Sequence, residues 1–373
     1  QEIREEEVCA CSMTDFYNLY HTIPIKDLEI LTTVQDFMQK KVAPIINKHW
    51  LEDSFPMELL PEFKKLDICN KDALLTGLIV QEMARVDPSI ATFYLVQNGL
   101  AIASIRKLGT EEQKEKWLPA LSKFEKIGCF ALTEPSVGSA AFDMETEALH
   151  GNDVILLRGK KKWAGNAVFA DVVIVWANIR QGFIVDTKSE GFKVEKIENK
   201  FGLKVVQNGL ITLDDVRVPK ENMLQGGFKE ILKDSRVLVG WLATGVQMGA
   251  YEHALKYAKE RTQFGKPIGS FQLIQDLLAK ILGNLTACQC MMFQLSKLDF
   301  NMEQAALAKA FTTSKMRESV AWAREIFGGN GMSIDYNIGR FFCDAEAIYT
   351  YEGTYQMNNL IVGKAITGES AFV

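Results

Sequence analysis

The hydrophobic pattern of this chain changes its period twice, and this change constrains the fold more strongly than any single motif. Over residues 25–126, apolar residues recur at intervals of three and four, which is typical of amphipathic helices. Over residues 128–224, short segments rich in Val, Ile and aromatic residues indicate strands instead. The helical period returns after Leu224. We therefore predict an α+β protein with three domains: an N-terminal helical domain over 1–127, a β domain over 128–224 and a helical bundle over 225–373.

Turn residues, and not helices, separate the predicted strands. The turns contain Gly-Asn, Gln-Gly, Asn-Gly and Asp-Asp pairs. Strands that follow one another without intervening helices predict an antiparallel sandwich or barrel and argue against a βαβ sheet. The predicted strands are 128–133, 154–158, 172–177, 182–185 and 211–218.

Long apolar stripes predict a four-helix bundle in the last domain. The predicted helices lie over 236–261, 271–299 and 302–327 and after Glu352. In the first domain, Thr110 and Gln113 have the spacing of a capping box. Pro44 is expected to cap or kink the helix in which it lies.

Composition limits the kind of protein that this chain can be. With 47% apolar and 24% charged residues, its 373 residues can bury a large core, so we expect a soluble globular protein. Lysine and arginine number 42 against 47 acidic residues, without a basic block, so nothing indicates nucleic-acid binding. No apolar run is long enough to span a bilayer, and the polar start is not a signal peptide.

The seven cysteines are scattered and odd in number, which favours reduced thiols inside a cell over a disulfide framework. Cys9/Cys11 and Cys288/Cys290 are close pairs, but neither is accompanied by the second pair or the histidines of a zinc site. We therefore predict no bound metal.

One carboxylate, Glu352, lies among tyrosines and directly precedes Gly353. Among aromatic rings a carboxylate can become a usable base near neutral pH. The same residues can also form an ordinary helix start, with Thr350 as the cap and Glu352 favoured by the helix dipole. Taken alone, the segment favours the helix start.

Four further short motifs have both a structural and a functional interpretation. The glycines of 328–331 can end a helix or bring backbone N–H groups close to a phosphate. Residues 261–265 can end a helix or offer a guanidinium and a ring to a nucleotide. Residues 133–139 and 163–166 can be ordinary turns, the second with a tryptophan that usually lies in a core. Each motif is ambiguous alone, but their joint order is much harder to dismiss.

That order, within the α-β-α plan, resembles the acyl-CoA dehydrogenase and acyl-CoA oxidase flavoprotein family over nearly the whole chain. The segments that carry the resemblance are 85–87, 130–135, 163–166, 261–265, 327–331 and 351–354. Within the family, the chain looks most like the peroxisomal short-chain acyl-CoA oxidases of plant type, with glutaryl-CoA dehydrogenases next. The details behind this finer resemblance lie at 42–45, 206–209 and 349–355.

The resemblance implies a mechanism in which Glu352 is the catalytic base. It would remove the α-proton of a fatty acyl-CoA while the β-hydrogen leaves as hydride to flavin N5, which gives a trans-2-enoyl-CoA. The backbone N–H of Glu352 and a flavin hydroxyl would hold the thioester oxygen as negative charge develops. The cofactor FAD would supply the redox chemistry, and the protein would orient it and exclude water.

The resemblance also implies the binding residues. The FAD is expected to contact Leu132, Thr133, Trp163, Asn166, Arg261, Phe264, Gln272, Gly328, Gly329 and Thr354. The acyl-CoA substrate is expected to contact Ser139, Arg236, Tyr351 and Gly353. Because Gln272 and the two glycines would come from a neighbouring subunit, a homodimer or homotetramer is implied.

Three departures from the family's pattern bear on these expectations. Residues 140–142 are Ala, Ala and Phe where the family usually has Asp and small residues. The connection between Leu66 and Leu74 is shorter than the family's glycine-rich loop. Gly165 stands where most dehydrogenases have a threonine beside flavin N5, which favours the oxidase branch.

We therefore predict a FAD-dependent oxidase of short-chain acyl-CoA in fatty acid β-oxidation, with oxygen as the electron acceptor. The alternatives are a dehydrogenase that uses an electron carrier and a redox-inactive member that serves as a scaffold or non-redox enzyme. A dicarboxylyl substrate is disfavoured, because residues 90–92 are Ile, Ala and Thr where glutaryl enzymes carry an arginine. A peroxisomal location is expected from the resemblance, with the mitochondrion second, although the chain ends without a Ser-Lys-Leu address.

Overall fold

The stretches with a helical period fold as helices in the computed structural model, which describes residues 13–371. The helices over these residues are α1 (Ile25–Phe37), α2 (Ile46–Leu51), α3 (Leu60–Phe63), α4 (Ala73–Val86), α5 (Pro88–Tyr94), α6 (Ala103–Leu108), α7 (Glu111–Ser122), α8 (Lys229–Glu260), α9 (Gln272–Leu295), α10 (Met302–Ile326), α11 (Ile338–Thr350) and α12 (Tyr355–Thr367). The long predicted helices of the last part are confirmed, whereas α11 was not predicted. The predicted domain boundaries at residues 127 and 224 stay predictions.

Two local predictions about helix ends are confirmed. Thr110 caps α7, because its hydroxyl accepts from the Gln113 N–H at 3.3 Å and the Gln113 side chain accepts from the Thr110 N–H at 3.0 Å. The Gln113 amide also donates to the carbonyl oxygens of Glu221 and Met223. Pro44 lies in the break between a π-helical turn, Met38–Val42, and α2, where its missing N–H leaves no helical hydrogen bond unmade.

The strands form two main sheets and one short hairpin. They are β1 (Gly128–Ala131), β2 (Glu147–His150), β3 (Val154–Ala164), β4 (Val172–Trp176), β5 (Gly182–Asp186), β6 (Phe192–Lys196), β7 (Gly209–Pro219), β8 (Thr262–Gln263) and β9 (Lys266–Pro267). The sheet orders are β1-β4-β5, β2-β3-β7-β6 and β8-β9. Because each main sheet has open edges, the sandwich interpretation is correct and the closed-barrel one is not.

One strand pair departs from the antiparallel prediction. Strands β1 and β4 pair in parallel, with Gly128 opposite Val172 and Ala131 opposite Val175. Parallel pairing is possible because the chain passes through β2 and β3 of the other sheet between these two strands. Strand β4 is buried along its whole length and carries the central apolar residues of the sheet.

The chain divides into two units, and each gathers segments that are distant in sequence. The helical unit comprises the described chain up to Asn47, the segment Asp72–Pro88 and the chain from Arg236 onward. The mixed unit comprises Lys48–Lys71 and Ser89–Ser235, and it contains β1 to β7.

Within the helical unit, helices α4 and α8 approach each other through glycines. A Cβ on Gly245 would lie 2.2 Å from the Gln81 carbonyl oxygen, and one on Gly249 would lie 2.1 Å from that of Arg85. The two glycines are four residues apart and therefore lie on one face of α8. Only hydrogen fits at both positions, so these glycines set the close approach of the two helices.

A buried ion pair joins α11 to the end of α4 in the same unit. Arg340 and Asp87 are almost completely buried and form a direct charge-assisted hydrogen bond. The guanidinium also donates to the Val86 carbonyl at 3.2 Å and to the Asn47 amide oxygen at 3.1 Å. Each of the three guanidinium nitrogens therefore has an acceptor, as a buried arginine requires.

Within residues 13–371, no helix is long and apolar enough to cross a membrane. The cysteines of this part of the chain form no disulfide with one another, and burial raises the pKa of the Cys69 thiol to about 12. The pair Cys9/Cys11 lies outside the described residues.

Replacement of Asp87 by Ala is expected to lower the free energy of unfolding by about 3–5 kcal/mol, because it leaves the Arg340 guanidinium buried without a counter-charge. Urea unfolding followed by circular dichroism measures this change. Asp36→Ala is the matched control, because Asp36 pairs with Lys40 on an exposed surface and its loss should change stability by less than about 1 kcal/mol. Equal effects of the two substitutions would contradict the importance of the buried pair.

Candidate active site

The predicted catalytic residue, Glu352, lies in a tight turn between α11 and α12 of the helical unit. Its backbone has a φ of 55°, in the left-handed region that residues with a side chain seldom adopt. Such a conformation costs on the order of 1–3 kcal/mol and persists only where the surroundings hold it in place. The neighbouring Gly353, with a φ of 82°, continues the left-handed path.

Three side chains from outside the turn donate hydrogen bonds to its carbonyl groups. Arg236 on α8 donates from Nε to the Glu352 oxygen at 3.3 Å. Lys309 on α10 donates from Nζ to the oxygens of Tyr349 and Gly353, each at 2.8 Å. Asn358 on α12 donates to the Gly353 oxygen at 2.8 Å. The turn is thus fixed from three helices.

Charge and burial act together around this turn. Burial lowers the pKa of Arg236 and, to about 7, that of Lys309, while the charge of Glu352 acts in the opposite direction on both. The carboxylate of Glu352 therefore interacts electrostatically with both cations. Gly353 has little space to spare, because a Cβ there would lie 3.3 Å from Arg236 Nη2 and 3.2 Å from Asn358 Nδ2.

A helix begins after Glu352, but the residue that caps it differs from the predicted one. Thr354 caps α12, since its hydroxyl accepts from the Met357 N–H at 3.2 Å. Thr350 instead ends α11 and donates from its hydroxyl to the Glu346 carbonyl at 2.7 Å. Thr350 was the wrong choice of cap because α11, which ends there, was not predicted.

Several residues predicted to hold FAD meet around one open cavity in the helical unit. Its volume is about 1040 Å³. The predicted residues in its lining are Arg261, Phe264, Gln272, Gly328 and Gly329. The hairpin of β8 and β9, the first turn of α9 and the segment after α10 bring them together within one chain. Gln272 and the two glycines therefore share a cavity with Arg261 and Phe264 of the same subunit, which differs from the expected division between two subunits.

The lining of this cavity fits an anionic, aromatic ligand such as a dinucleotide. Gly328 has a φ of 56°, and a Cβ on either Gly328 or Gly329 would meet no atom within 4 Å, so the backbone there is open to a ligand. Arg261 supplies a permanent positive charge. The Phe264 side chain is 93% exposed and is available for stacking.

The predicted flavin-facing residues of the mixed unit are organised by a buried lysine, Lys161 on β3. Its ammonium donates to the Leu132 carbonyl at 2.9 Å and to the Glu134 carboxylate at 2.8 Å. Glu134 also accepts from the N–H and the hydroxyl of Thr146. Burial lowers the pKa of Lys161 to about 8, against the opposing effect of Glu134. The carbonyl group of Leu132 is therefore held by a buried side chain.

Trp163 lies near the end of β3 and Asn166 in the turn that follows, both with left-handed backbones. The Trp163 side chain is 50% exposed, although a tryptophan usually prefers burial. The Asn166 side chain is instead buried and donates weakly to the carbonyls of Phe93 and Gly128. Its amide holds the turn, and its contact with a cofactor stays a prediction. The Thr133 carbonyl accepts from the Lys162 N–H at 2.8 Å.

The unusual segment around Phe142 is accommodated within the mixed unit. The Phe142 ring packs on Phe228 with 5.0 Å between ring centroids. The Arg180 guanidinium lies 4.9 Å from the centroid of the Phe142 ring, and the Lys229 ammonium lies 5.3 Å from it. Ser139, a predicted substrate contact, is exposed just before this segment. Phe142 is thus held by aromatic and cation–π contacts.

Gly165 has a packing explanation that the sequence did not reveal. A Cβ at this position would lie 3.0 Å from Cγ2 of Val96, which belongs to a π-helical stretch, Leu95–Ile102. A threonine would therefore need Val96 to move. The short connection after Leu66 is also packed, with the Tyr94 hydroxyl donating to the Ile68 carbonyl at 2.7 Å.

The roles of Lys309, Asn358 and Lys161 have no recognisable signal in the sequence. All three are buried polar residues whose acceptors are backbone carbonyls or a carboxylate. A lysine within an amphipathic pattern is usually assigned to the exposed face. The described residues contain no cluster of His, Cys, Asp and Glu that could hold a metal ion.

Comparison with protein families gives matches along most of the chain. The family models are described as the acyl-CoA dehydrogenase N-terminal domain (residues 26–125), middle domain (129–216) and C-terminal domain (227–367). The chain belongs to the acyl-CoA dehydrogenase family. The family consists of flavin-dependent oxidoreductases, and its cofactor is FAD.

Individual members of the acyl-CoA dehydrogenase family are similar over nearly their whole length. The probable acyl-CoA dehydrogenase YngJ of Bacillus subtilis is 31% identical, over 89% of this chain and 96% of the relative. The caffeyl-CoA reductase-Etf complex subunit CarC of Acetobacterium woodii is 33% identical, over 88% and 94%. The crystal structure of glutaryl-CoA dehydrogenase from Mycobacterium smegmatis superimposes with a TM-score of 0.92 at 32% identity, over 96% of this chain and 99% of that one.

These findings confirm the family and the N-terminal helical, middle β and C-terminal helical fold of an acyl-CoA dehydrogenase. They do not support the finer resemblance to plant peroxisomal oxidases. The relatives named above are dehydrogenases or a subunit of a reductase complex, so the dehydrogenase alternative fits better than the oxidase prediction.

Lys161→Met is expected to destabilise the protein by about 3–5 kcal/mol, because the buried Glu134 carboxylate loses its counter-charge. It should also weaken FAD binding, since the carbonyl of Leu132 loses its anchor. Urea unfolding and titration with FAD measure the two effects.

Lys160→Met is the matched control for Lys161→Met, because Lys160 is the preceding residue on β3 but is exposed. It should resemble the wild type in both measurements. Unchanged FAD affinity in a folded Lys161→Met protein would contradict the proposed anchoring of Leu132.

Proposed function

We propose that this protein is a FAD-dependent acyl-CoA dehydrogenase that converts a short-chain acyl-CoA to a trans-2-enoyl-CoA and passes the electrons to a carrier protein. The observation that carries the proposal is the placement of Glu352. Its half-buried carboxylate stands on a strained turn that three helices hold in place. Strain maintained in this way is characteristic of functional sites.

Glu352 acts as the base that takes the α-proton of the thioester. Because the turn is fixed, the carboxylate is held ready and does not have to be ordered when substrate arrives. Glu352 interacts electrostatically with Arg236 and Lys309, and its carboxylate form is the one that can accept a proton. Gly353, Tyr351 and Ser139 are the proposed contacts of the acyl-CoA.

Bound FAD supplies the acceptor for the β-hydrogen, which leaves as hydride. Around the cavity of the helical unit, Arg261, Phe264, Gln272 and the two glycines hold its phosphates and adenosine. In the mixed unit, the backbone of Leu132 and Thr133 and the ring of Trp163 face its flavin. Thr354 and Asn166 complete the proposed set.

The electron acceptor is the point on which the proposal departs from the oxidase prediction. Gly165 was the residue that favoured an oxidase, but its lack of a side chain also follows from the proximity of Val96. The similarity to dehydrogenases, and to a subunit of a reductase-Etf complex, supports an electron carrier instead. An oxidase of the plant peroxisomal type is the second candidate, and Gly165 is the observation that favours it. A peroxisomal location stays a prediction.

The proposed acyl chain is short and ends without a carboxylate. Residues 90–92 are Ile, Ala and Thr, and all three are buried. They therefore offer no cation to a distal carboxylate, which separates this chain from a glutaryl-CoA dehydrogenase in substrate although not in fold.

A homodimer or homotetramer is part of the proposal. Phe264 and Leu273, on the hairpin and the first turn of α9, are 93% and 80% exposed. Large apolar side chains that stand this far out of a surface are typical of contacts with another subunit. Their place beside the proposed nucleotide cavity supports a cofactor site completed by a second copy of the chain.

Glu352→Gln is expected to slow reduction of the bound flavin by acyl-CoA by at least about 100-fold, because the amide cannot accept the α-proton. Anaerobic mixing with butyryl-CoA, followed through the visible absorbance of the flavin, measures the rate.

The matched control for Glu352→Gln is Glu346→Gln. Glu346 lies on α11 and pairs with Arg317 on a partly exposed surface. This variant should be reduced at the wild-type rate. Rapid bleaching in Glu352→Gln would show that another group takes the proton. A purified protein that binds no flavin after addition of FAD would favour the redox-inactive scaffold.

Aerobic turnover of butyryl-CoA is expected to be slow without an added electron acceptor and to rise on the order of 100-fold with electron-transferring flavoprotein, because a carrier removes the electrons. Oxygen consumption and peroxide formation measure the competing reaction. Peroxide production that matches substrate consumption, without any carrier, would establish the oxidase and reject the dehydrogenase.

A further inference from the structure

The ammonium group of Lys309 lies near the proposed base, and its structural role there has not yet been assigned. Its side chain is 0% exposed, although lysine is among the residues least often buried. The residue lies in the second turn of α10, and its nitrogen reaches the segment that joins α11 to α12. A charge in this position requires an explanation.

The two acceptors of Lys309 lie on opposite sides of Glu352. The Tyr349 carbonyl belongs to the last turn of α11, where carbonyl groups have no partner within the helix. The Gly353 carbonyl lies immediately after the base. Each is 2.8 Å from the ammonium, so one donor group closes the turn at both of its ends.

The other donors do not duplicate this arrangement. Arg236 donates to the carbonyl of Glu352 itself, at 3.3 Å, and Asn358 donates to the carbonyls of Gly353 and Thr354. Neither residue reaches Tyr349. Lys309 is therefore the side chain that connects the end of α11 to the residue after the base.

We propose that Lys309 is a positioning residue that holds Glu352 in its left-handed conformation, and thereby sets the position of the carboxylate for proton abstraction. This inference rests on the proposed function of Glu352. The electrostatic effect of Glu352 on Lys309, and that of Arg236, support a close relation among the three side chains.

Lys309→Met removes the donor while it keeps most of the length and volume of the side chain. The variant should fold, because methionine avoids the burial of a charge. Lys309→Gln keeps an N–H donor without the charge and should be intermediate. The matched control is Lys315→Met, on the same helix, where the lysine pairs with Glu318 at a partly exposed surface.

The test has two readouts in the FAD-loaded protein. The first is the limiting rate of flavin reduction by butyryl-CoA, which we expect to fall about 100-fold in Lys309→Met, since a displacement of about 1 Å has an effect of this size. The concentration for half-maximal rate should change by less than about threefold, because binding is not affected. The second is hydrogen exchange at the backbone amides of 351–354, which should become faster in Lys309→Met and not in Lys315→Met.

The outcomes separate this inference from the proposed function. Reduction of Lys309→Met at the wild-type limiting rate would overturn the inference, whatever the exchange. A change confined to the half-maximal concentration would also overturn it, because Lys309 would then act in binding. If butyryl-CoA does not reduce the wild-type flavin, the proposed function fails, and hydrogen exchange then decides the role of Lys309. Unchanged exchange in Lys309→Met, and in Lys309→Gln if the first variant does not fold, would overturn the inference.

Discussion

The hydrogen bonds from buried lysines to backbone carbonyls are the interaction on which both proposed functional segments of this protein depend. Lys309 closes the turn of Glu352, and Lys161 anchors the carbonyl of Leu132. A buried ammonium is costly to desolvate, so it is retained only where hydrogen-bond acceptors surround it. In return, a charged donor fixes a carbonyl more firmly than a neutral donor does. Side chains of a helix and a strand thereby hold chain segments that lie outside regular secondary structure.

Much of the architecture could be predicted from sequence because it follows from the period of apolar residues and from local capping. The elements that were missed carry weaker signals. Strand β6 is five residues long and only partly buried, and it has just two apolar residues, Phe192 and Val194, alternating with charged ones, so its pattern is short. The parallel pairing of β1 with β4 depends on the path through a second sheet, which no local pattern encodes. For the proposed site, the motifs indicate Glu352 and the glycines, whose roles stay predictions, whereas Lys161 and Lys309 are recognisable only from their three-dimensional contacts.

Gly165 shows why the absence of a side chain is difficult to interpret from sequence alone. The lack of a threonine at this position favours altered flavin chemistry, yet Val96 already occupies the space beside Gly165. Two explanations, one chemical and one steric, predict the same residue. The similar proteins favour the dehydrogenase. Because the steric explanation accounts for Gly165, this residue is compatible with a dehydrogenase.

The discontinuous helical unit has a consequence for how the chain folds during synthesis. The buried partners Asp87 and Arg340 are 253 residues apart. At a synthesis rate of about 5–20 residues per second, α4 emerges roughly 10–50 s before its partner on α11 exists. During that interval the later helices do not yet cover the apolar surface of α4, and Asp87 is not yet joined to Arg340. The turn of Glu352 forms only after α11 has been synthesised.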